Sequence, residues 1–163
     1  MYLQRVKARL EELFIVRLDT IIACTEEEVH ALEQEVGLLL PAAYREFLLW
    51  MGHGSGGLLG GSDFLYEDLI LLQRDAAELM KEDTYPEPLP EDAFVFLMHQ
   101  GYQFGFFRTS EGDDPPVYRY SEGAEQSSIT ANAPHFSEFL LGVVEDTAKI
   151  RSNKVEDDPD AAR

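Results

Sequence analysis

Residues 25–57, TEEEVHALEQEVGLLLPAAYREFLLWMGHGSGG, constrain the fold of this chain more than any other stretch. Thr25 is a good N-cap, and Glu28 stands three residues on, the spacing of a capping box. Glu26, Glu27 and Glu28 lie at the positive end of the helix dipole. Val29, Leu32 and Val36 recur at helical spacing and make one apolar stripe. Gly37 suits the residue just past a helix end, where a positive φ is needed. Leu38, Leu39 and Leu40 connect to Pro41, which fits the first turn of a second helix. There Tyr44, Phe47, Leu48 and Met51 predict the buried face, with Trp50 at its edge. Gly52 ends the helix, and a glycine-rich segment predicts flexible backbone after it.

The rest of the chain adds strands and two more helices. Leu3, Val6, Leu10, Leu13 and Phe14 predict an N-terminal helix buried on one face. Its Arg5, Lys7 and Arg9 lie off that stripe and read as a solvated face. Residues 15–24 are β-branched enough to weaken a helix, so they extend the first helix or connect onward. Phe64, Leu65 and Tyr66, then residues 69–72, read as a short strand and a turn into buried structure. Residues 74–81 predict one or two helical turns. Pro86, Pro88 and Pro90 break the next segment into a surface loop. Strands are predicted at 94–98, 102–108 and 117–120, the last two forming an antiparallel hairpin around SEGDDPP. Pro134 opens a last helix with Phe136, Phe139, Leu140 and Val143 on one face. Beyond about Asp146 the hydrophobicity collapses, so residues 147–163 are expected to be a disordered acidic tail behind a single domain over 1–146. Helices, then strands, then a closing helix imply an α+β domain with a small antiparallel sheet and helices against it.

Charge limits the partners. The 163 residues carry a net charge of −18. That argues against direct nucleic-acid or anionic-membrane binding and favours fast association with a basic partner. Cys24 is the single cysteine, so no internal disulfide or multi-cysteine metal site forms, and a buried inert thiol in a reducing cytoplasm is expected. No signal-peptide core or membrane-length apolar run is present.

No stretch carries catalytic chemistry. Gly52, Gly54 and Gly57 match G-x-G-x-x-G but follow a helix instead of a strand. His53 and Ser55 lack the spacing of a nucleophile elbow. The four histidines, His30, His53, His99 and His135, include no helical metal-binding pair. Glu111, Asp113 and Asp114 lack the ligand series of a calcium loop. No cofactor or metal is expected. The residues from Glu82 onward do suggest a contact surface. Glu82, Asp83, Glu87, Glu91, Asp92, Glu111, Asp113, Asp114, Glu122 and Glu125 face only Arg108 and Arg119, and Tyr85, Tyr102, Tyr118 and Tyr120 are interleaved with them. Carboxylates steer a basic protein, and tyrosines supply contact area. Glu111, Asp113 and Asp114, with Tyr118 and Tyr120 as anchors, are the expected partner-binding residues.

Residues 26–49, E-E-E-V-x-x-L-E-x-E-V-G-L-x-L-P-x-x-Y-R-E-F-L-L, resemble the signature of the SUKH superfamily, the cell-wall-assembly-regulator-like domains that include many bacterial immunity proteins. The glycine-rich segment 52–61, the Gly-aromatic strand 101–107 with its acidic turn and Val117-Tyr118, and the Phe136-Ser137-Glu138-Phe139-Leu140 helix are similar to it as well. The resemblance covers most of residues 25–146, and residues 40–48 are its most specific part. Where that family often has Asn-Gly after the second helix, this chain has Gly52-His53-Gly54. The resemblance implies an α+β domain without known catalytic residues. It further implies a cytoplasmic protein that binds and neutralises a cognate secreted polymorphic toxin, many of which are nucleases with a basic cleft. The alternative is a regulatory protein-binding scaffold of the same fold without a toxin.

Overall fold

The structure, a computed structural model, describes residues 1–13, 15–123 and 127–157; Phe14 and Glu125 lie outside the described residues. Helix α1 (Gln4–Leu13) buries Val6 and Leu10, with Leu3 beside them. Its basic residues are used within the fold: Arg5 pairs with Glu138 at 2.8 Å, Arg9 with Glu145 at 2.6 Å and Lys7 with Glu46 at 3.0 Å. The stretch left open between helix and connector is a 3-10 turn at Leu18–Thr20 and a short strand β1 (Ile21–Ile22).

Helix α2 (Glu26–Val36) begins as its sequence dictates. Thr25 Oγ1 accepts from Glu28 N at 3.2 Å, and Glu28 Oε2 accepts from Thr25 N at 2.8 Å, so two orphan amides are satisfied reciprocally. Gly37 ends it at φ 70°, where a Cβ would be strained. Buried Glu33 then fixes the corner, accepting from Leu40 N at 2.9 Å and pairing with Arg45 at 2.8 Å. Helix α3 (Ala42–Met51) buries Ala43, Tyr44, Phe47, Leu48 and Met51. The glycine-rich exit is tied down, contrary to the flexible backbone expected of it. Strand β2 (Gly54–Ser55) pairs antiparallel with β1, and His53 N donates to Ile22 O at 2.9 Å. Gly54 permits this approach, since a Cβ there would stand 2.5 Å from Thr20 O.

Five antiparallel strands follow in the order β3-β4-β5-β6-β7: β3 (Ser62–Asp63), β4 (Ala93–His99), β5 (Gln103–Arg108), β6 (Val117–Ser121) and β7 (Ser128–Ala133). The expected hairpin around SEGDDPP is present as β5–β6. Helix α4 (Leu69–Glu82) lies between β3 and β4 in the chain and is far longer than its sequence predicts. It buries Leu69, Leu72, Ala76 and Met80 on one face and leaves Ile70 and Leu71 exposed. Residues 69–72, expected as a turn, are its first turn, and the strand expected at 64–66 falls instead at Ser62–Asp63. Helix α5 (Phe136–Asp157) continues well past Asp146, where fraying was expected. Ala148 still packs on the core, and Asp146 pairs with Lys149 at 3.2 Å. Extending a formed helix needs little more than compatible residues. The last expected tail positions, 158–163, lie outside the described residues.

One sheet face meets α3 and α5. The Tyr44 ring lies 5.1–6.0 Å from the rings of Phe94, Phe96, Phe107 and Phe136, with Phe47 at 5.8 Å. On the other face Phe104 stacks on Tyr120 at 4.9 Å and Phe106 on Tyr118 at 5.4 Å. The proline-rich segment after α4 folds over this face, sending Tyr85 and Leu89 inward while Pro86, Glu87 and Pro88 stay exposed. Strand β3 pairs only with residues 98 and 99 of β4. Upstream of that pairing α4 supplies the missing neighbour. Gln73 Nε2 donates to Val95 O at 2.7 Å, and Gln73 Oε1 accepts from Val95 N at 2.9 Å. One side chain thus stands in for a strand. Gln73→Leu, which preserves helix propensity, should cost about 2 kcal/mol by stranding both Val95 groups; urea unfolding of the variant measures it.

Candidate functional site

The turn between β5 and β6 carries the acidic residues singled out from the sequence. It is a clasp between two helix N-termini before it is a surface. Pro41 precedes α3 and offers no side-chain cap, so Ala43 N donates to Asp113 O at 2.8 Å. At α5, Ser137 N and Ser137 Oγ donate to the Asp114 carboxylate at 2.9 and 2.6 Å, and His135 Nδ1 donates to Asp114 O at 2.9 Å. Asp114 is therefore a helix cap supplied from a distant turn, and its carboxylate is occupied. Asp113 keeps an exposed carboxylate, touched by the Tyr2 hydroxyl at 3.2 Å. Glu111 is exposed and accepts from Tyr118 OH at 3.1 Å on each oxygen. Among the described residues neither Glu111 nor Asp113 forms an ion pair.

Tyr120 does not belong to this surface. It is fully buried, stacked on Phe104, and its hydroxyl donates to Asp83 at 2.5 Å. Burial and that bond push its pKa up to about 12. Tyr118 and Tyr120 share a sheet face by the two-residue period, but Tyr85 packs directly on Tyr120, while beside Tyr118 the proline-rich segment leaves a groove. The sequence period places both residues on one face and cannot say which is covered.

Tyr118 lines a groove of about 260 Å³ with Tyr85, Glu87, Pro88, Pro90, Phe106, Arg108 and Ile129. Arg108 is held there by Asp92 at 2.9 Å, and Ser110 Oγ donates to the same carboxylate. Bonds from Ser110 and Arg108 outweigh burial and hold the Asp92 carboxyl below its usual range. Glu87 and Arg108, absent from the expected contact set, join Tyr118 here. A second hollow of about 470 Å³ lies on the Asp113 side, lined by Tyr2, Lys7, Arg45, Glu46 and Trp50 among others. Lys7 Nζ sits 5.1 Å above the Trp50 ring. The expected patch is thus divided: Tyr118 lines the groove with Glu111 bonded to its hydroxyl, Asp113 contacts Tyr2 of the hollow, and Asp114 and Tyr120 are structural.

A separate charged cluster sits at the exit of α3. His53 Nδ1 lies 2.6 Å from Glu67 Oε1, and its Nε2 lies 3.1 Å from Glu28 Oε1. Both contacts are hydrogen bonds only when the ring carries both protons. Burial alone lowers the His53 pKa, but the bonds to Glu67 and Glu28 prevail and leave it above the ordinary 6.5. Cys24 is buried nearby, and burial with the adjacent carboxylates pushes its thiol up to about 12. Sequence spacing gave no sign of this grouping, because its members come from three separate segments: Cys24 and Glu28 at the start of α2, His53 after α3 and Glu67 before α4.

The family model for SMI1/KNR4 (SUKH-1) matches residues 23–142, well over half of the chain. The chain belongs to this family. SUKH-1 membership supports an immunity or regulatory role in a generally non-catalytic domain. The comparison with curated proteins returns no match. Most of the SUKH-1 signature in residues 40–48 is interior, with Leu40, Tyr44, Phe47 and Leu48 all buried, so it chiefly builds the scaffold. Among the described residues no helix is long and apolar enough to cross a membrane.

Two outcomes are expected. Asp114→Ala should lower stability by about 1 kcal/mol through loss of the α5 cap, whereas Glu111→Lys and Asp113→Lys should each stay within about 0.5 kcal/mol of wild type; denaturant midpoints compare them. The His53 contribution has a definite sign. A raised folded-state pKa adds stability that is fully present below the unfolded value of about 6.5 and lost as pH rises through the folded value. In chelator-treated buffer, the stability gap between wild type and His53→Gln should therefore narrow from pH 6 toward alkaline pH.

Proposed function

We propose that this chain is a cytoplasmic immunity protein that binds a cognate basic toxin domain one to one and blocks it without catalysis. The observation that carries this reading is the acidic turn. Its backbone and Asp114 are fixed to the starts of α3 and α5, and it still presents Glu111 and Asp113 to solvent. Carboxylates held in place before binding lose little freedom when a partner arrives. Tyr118 and the adjoining groove add an apolar anchor inside a charged rim, the anatomy of an interface. A net charge of −18 supplies long-range steering toward a positive surface. A nuclease is the toxin class that best fits, because its substrate cleft must be basic. SUKH-1 membership supports the reading, since the family spans immunity and regulatory domains.

The test is co-expression with the product of the neighbouring open reading frame. Expected results are rescue of growth and a one-to-one complex whose association is slowed about tenfold by combined Glu111→Lys and Asp113→Lys at low salt, with the difference shrinking as salt rises. Asp114 is left intact so that the α5 cap is preserved. A complex with unchanged association kinetics removes this surface from the interface. A neighbouring product that is neither toxic nor bound favours a regulatory scaffold of the same fold.

A further inference from the structure

The cluster at the exit of α3 has no part in the proposed toxin contact, and its chemistry is that of a metal site. A Cys24 Sγ, a Glu28 carboxylate oxygen and a His53 ring nitrogen lie within 4.8 Å of one another. We propose that Cys24, Glu28 and His53 bind a single zinc-type divalent ion, with solvent filling the fourth position.

The donor set fits such an ion. Zinc takes thiolate, imidazole and carboxylate ligands in tetrahedral geometry and keeps a water where the protein gives three. Bonds of about 2.0–2.1 Å to nitrogen and oxygen would place those two atoms about 3.3 Å apart. His53 Nε2 and Glu28 Oε1 already stand at 3.1 Å. An ion there takes the place of the proton that now joins them. The sulfur sits about 3.6 Å from each in the same geometry, so Cys24 needs only a small inward movement.

The surrounding bonds orient the donors as metal sites require. His53 Nδ1 is held by Glu67 at 2.6 Å, which leaves Nε2 for the ion, the carboxylate–histidine pairing common behind metal ligands. Glu28 Oε2 is committed to the capping box through Thr25 N at 2.8 Å, which leaves Oε1 free to coordinate. Tyr66 braces both ligands: its ring lies 5.1 Å from the imidazole, and its hydroxyl donates to Glu28 O at 2.9 Å. Cys24 forms the buried floor, while Glu28 and Glu67 are open enough to admit an ion from solvent. Charge balances on binding. The ion displaces one proton from the thiol and one from the imidazolium, so the three-ligand site stays neutral as two protons are released.

The experiment is titration of the chelator-stripped full chain with Co²⁺ and then Zn²⁺. One equivalent of Co²⁺ should produce thiolate-to-cobalt charge-transfer absorption, which one equivalent of Zn²⁺ abolishes. The chain has a single cysteine, so this band reports Cys24 alone. Cys24→Ser should remove the band and weaken zinc binding at least tenfold. Glu28→Gln preserves the capping box, because glutamine serves that position too, and should weaken zinc at least tenfold in a folded protein. Glu67→Ala should weaken it by about 10- to 100-fold as a positioning change. Absence of the band at saturating Co²⁺ overturns the proposal. So does zinc affinity that is unchanged in both Cys24→Ser and Glu28→Gln, which would mean cations resting on the acidic surface.

Discussion

The packing of one tyrosine ring joins the layers of this fold. Tyr44 leaves α3 into a ring of phenylalanines from β4, β5 and α5, at centroid distances where aromatic pairs attract beyond their area burial. Its hydroxyl is buried and has no hydrogen-bond partner among the described residues, and burial holds its pKa well above the ordinary value. The fold keeps that unfavourable group inside because the ring around it links the corner helix, one sheet face and the closing helix. The capping box, Gly37 and Glu33 all serve to deliver α3 at the angle this contact needs.

The acidic turn shows how structural and surface roles divide within a few residues. Asp113 and Asp114 are adjacent, yet one gives its carbonyl to α3 and keeps its carboxylate in solvent, while the other spends its carboxylate on α5. Helix N-termini leave amides unpaired, and neither α3 nor α5 can satisfy all of its own. Strong local negative charge is compatible with folding here because part of it answers those amides. A similar economy appears at β4, where Gln73 replaces a strand by pairing with both groups of Val95.

Much of this was legible in the sequence where the signal is local. Thr25, Glu28 and Gly37 act on neighbours in the chain, and α2 begins and ends where they place it. The apolar runs at 94–98, 102–108 and 117–120 became β4, β5 and β6 because each is buried enough to show its pattern. Strand β7 escaped notice because SITANA exposes most of its side chains and draws its conformation from pairing with β6. Helix α4 was obscured by Ile70 and Leu71, apolar residues that face solvent and blur the stripe of Leu69, Leu72, Ala76 and Met80. The grouping of Cys24, Glu28, His53 and Glu67 left no trace, since no sequence spacing encodes the meeting of the start of α2 with His53 and Glu67.

By itself the sequence determined the class of fold, the corner helices, the three central strands, the strong negative charge and the resemblance to the SUKH group. These follow from local backbone preferences, hydrophobic period and composition, all readable without a third dimension. Only the tertiary structure decided which acidic and aromatic residues are available. It buried Tyr120 beneath Tyr85, committed Asp114 to α5, left Tyr118 on an open groove with exposed Glu111 bonded to it, and set His53 between two carboxylates. Exposure and proximity depend on what covers a face and on which distant segments meet, and the period of a strand specifies neither.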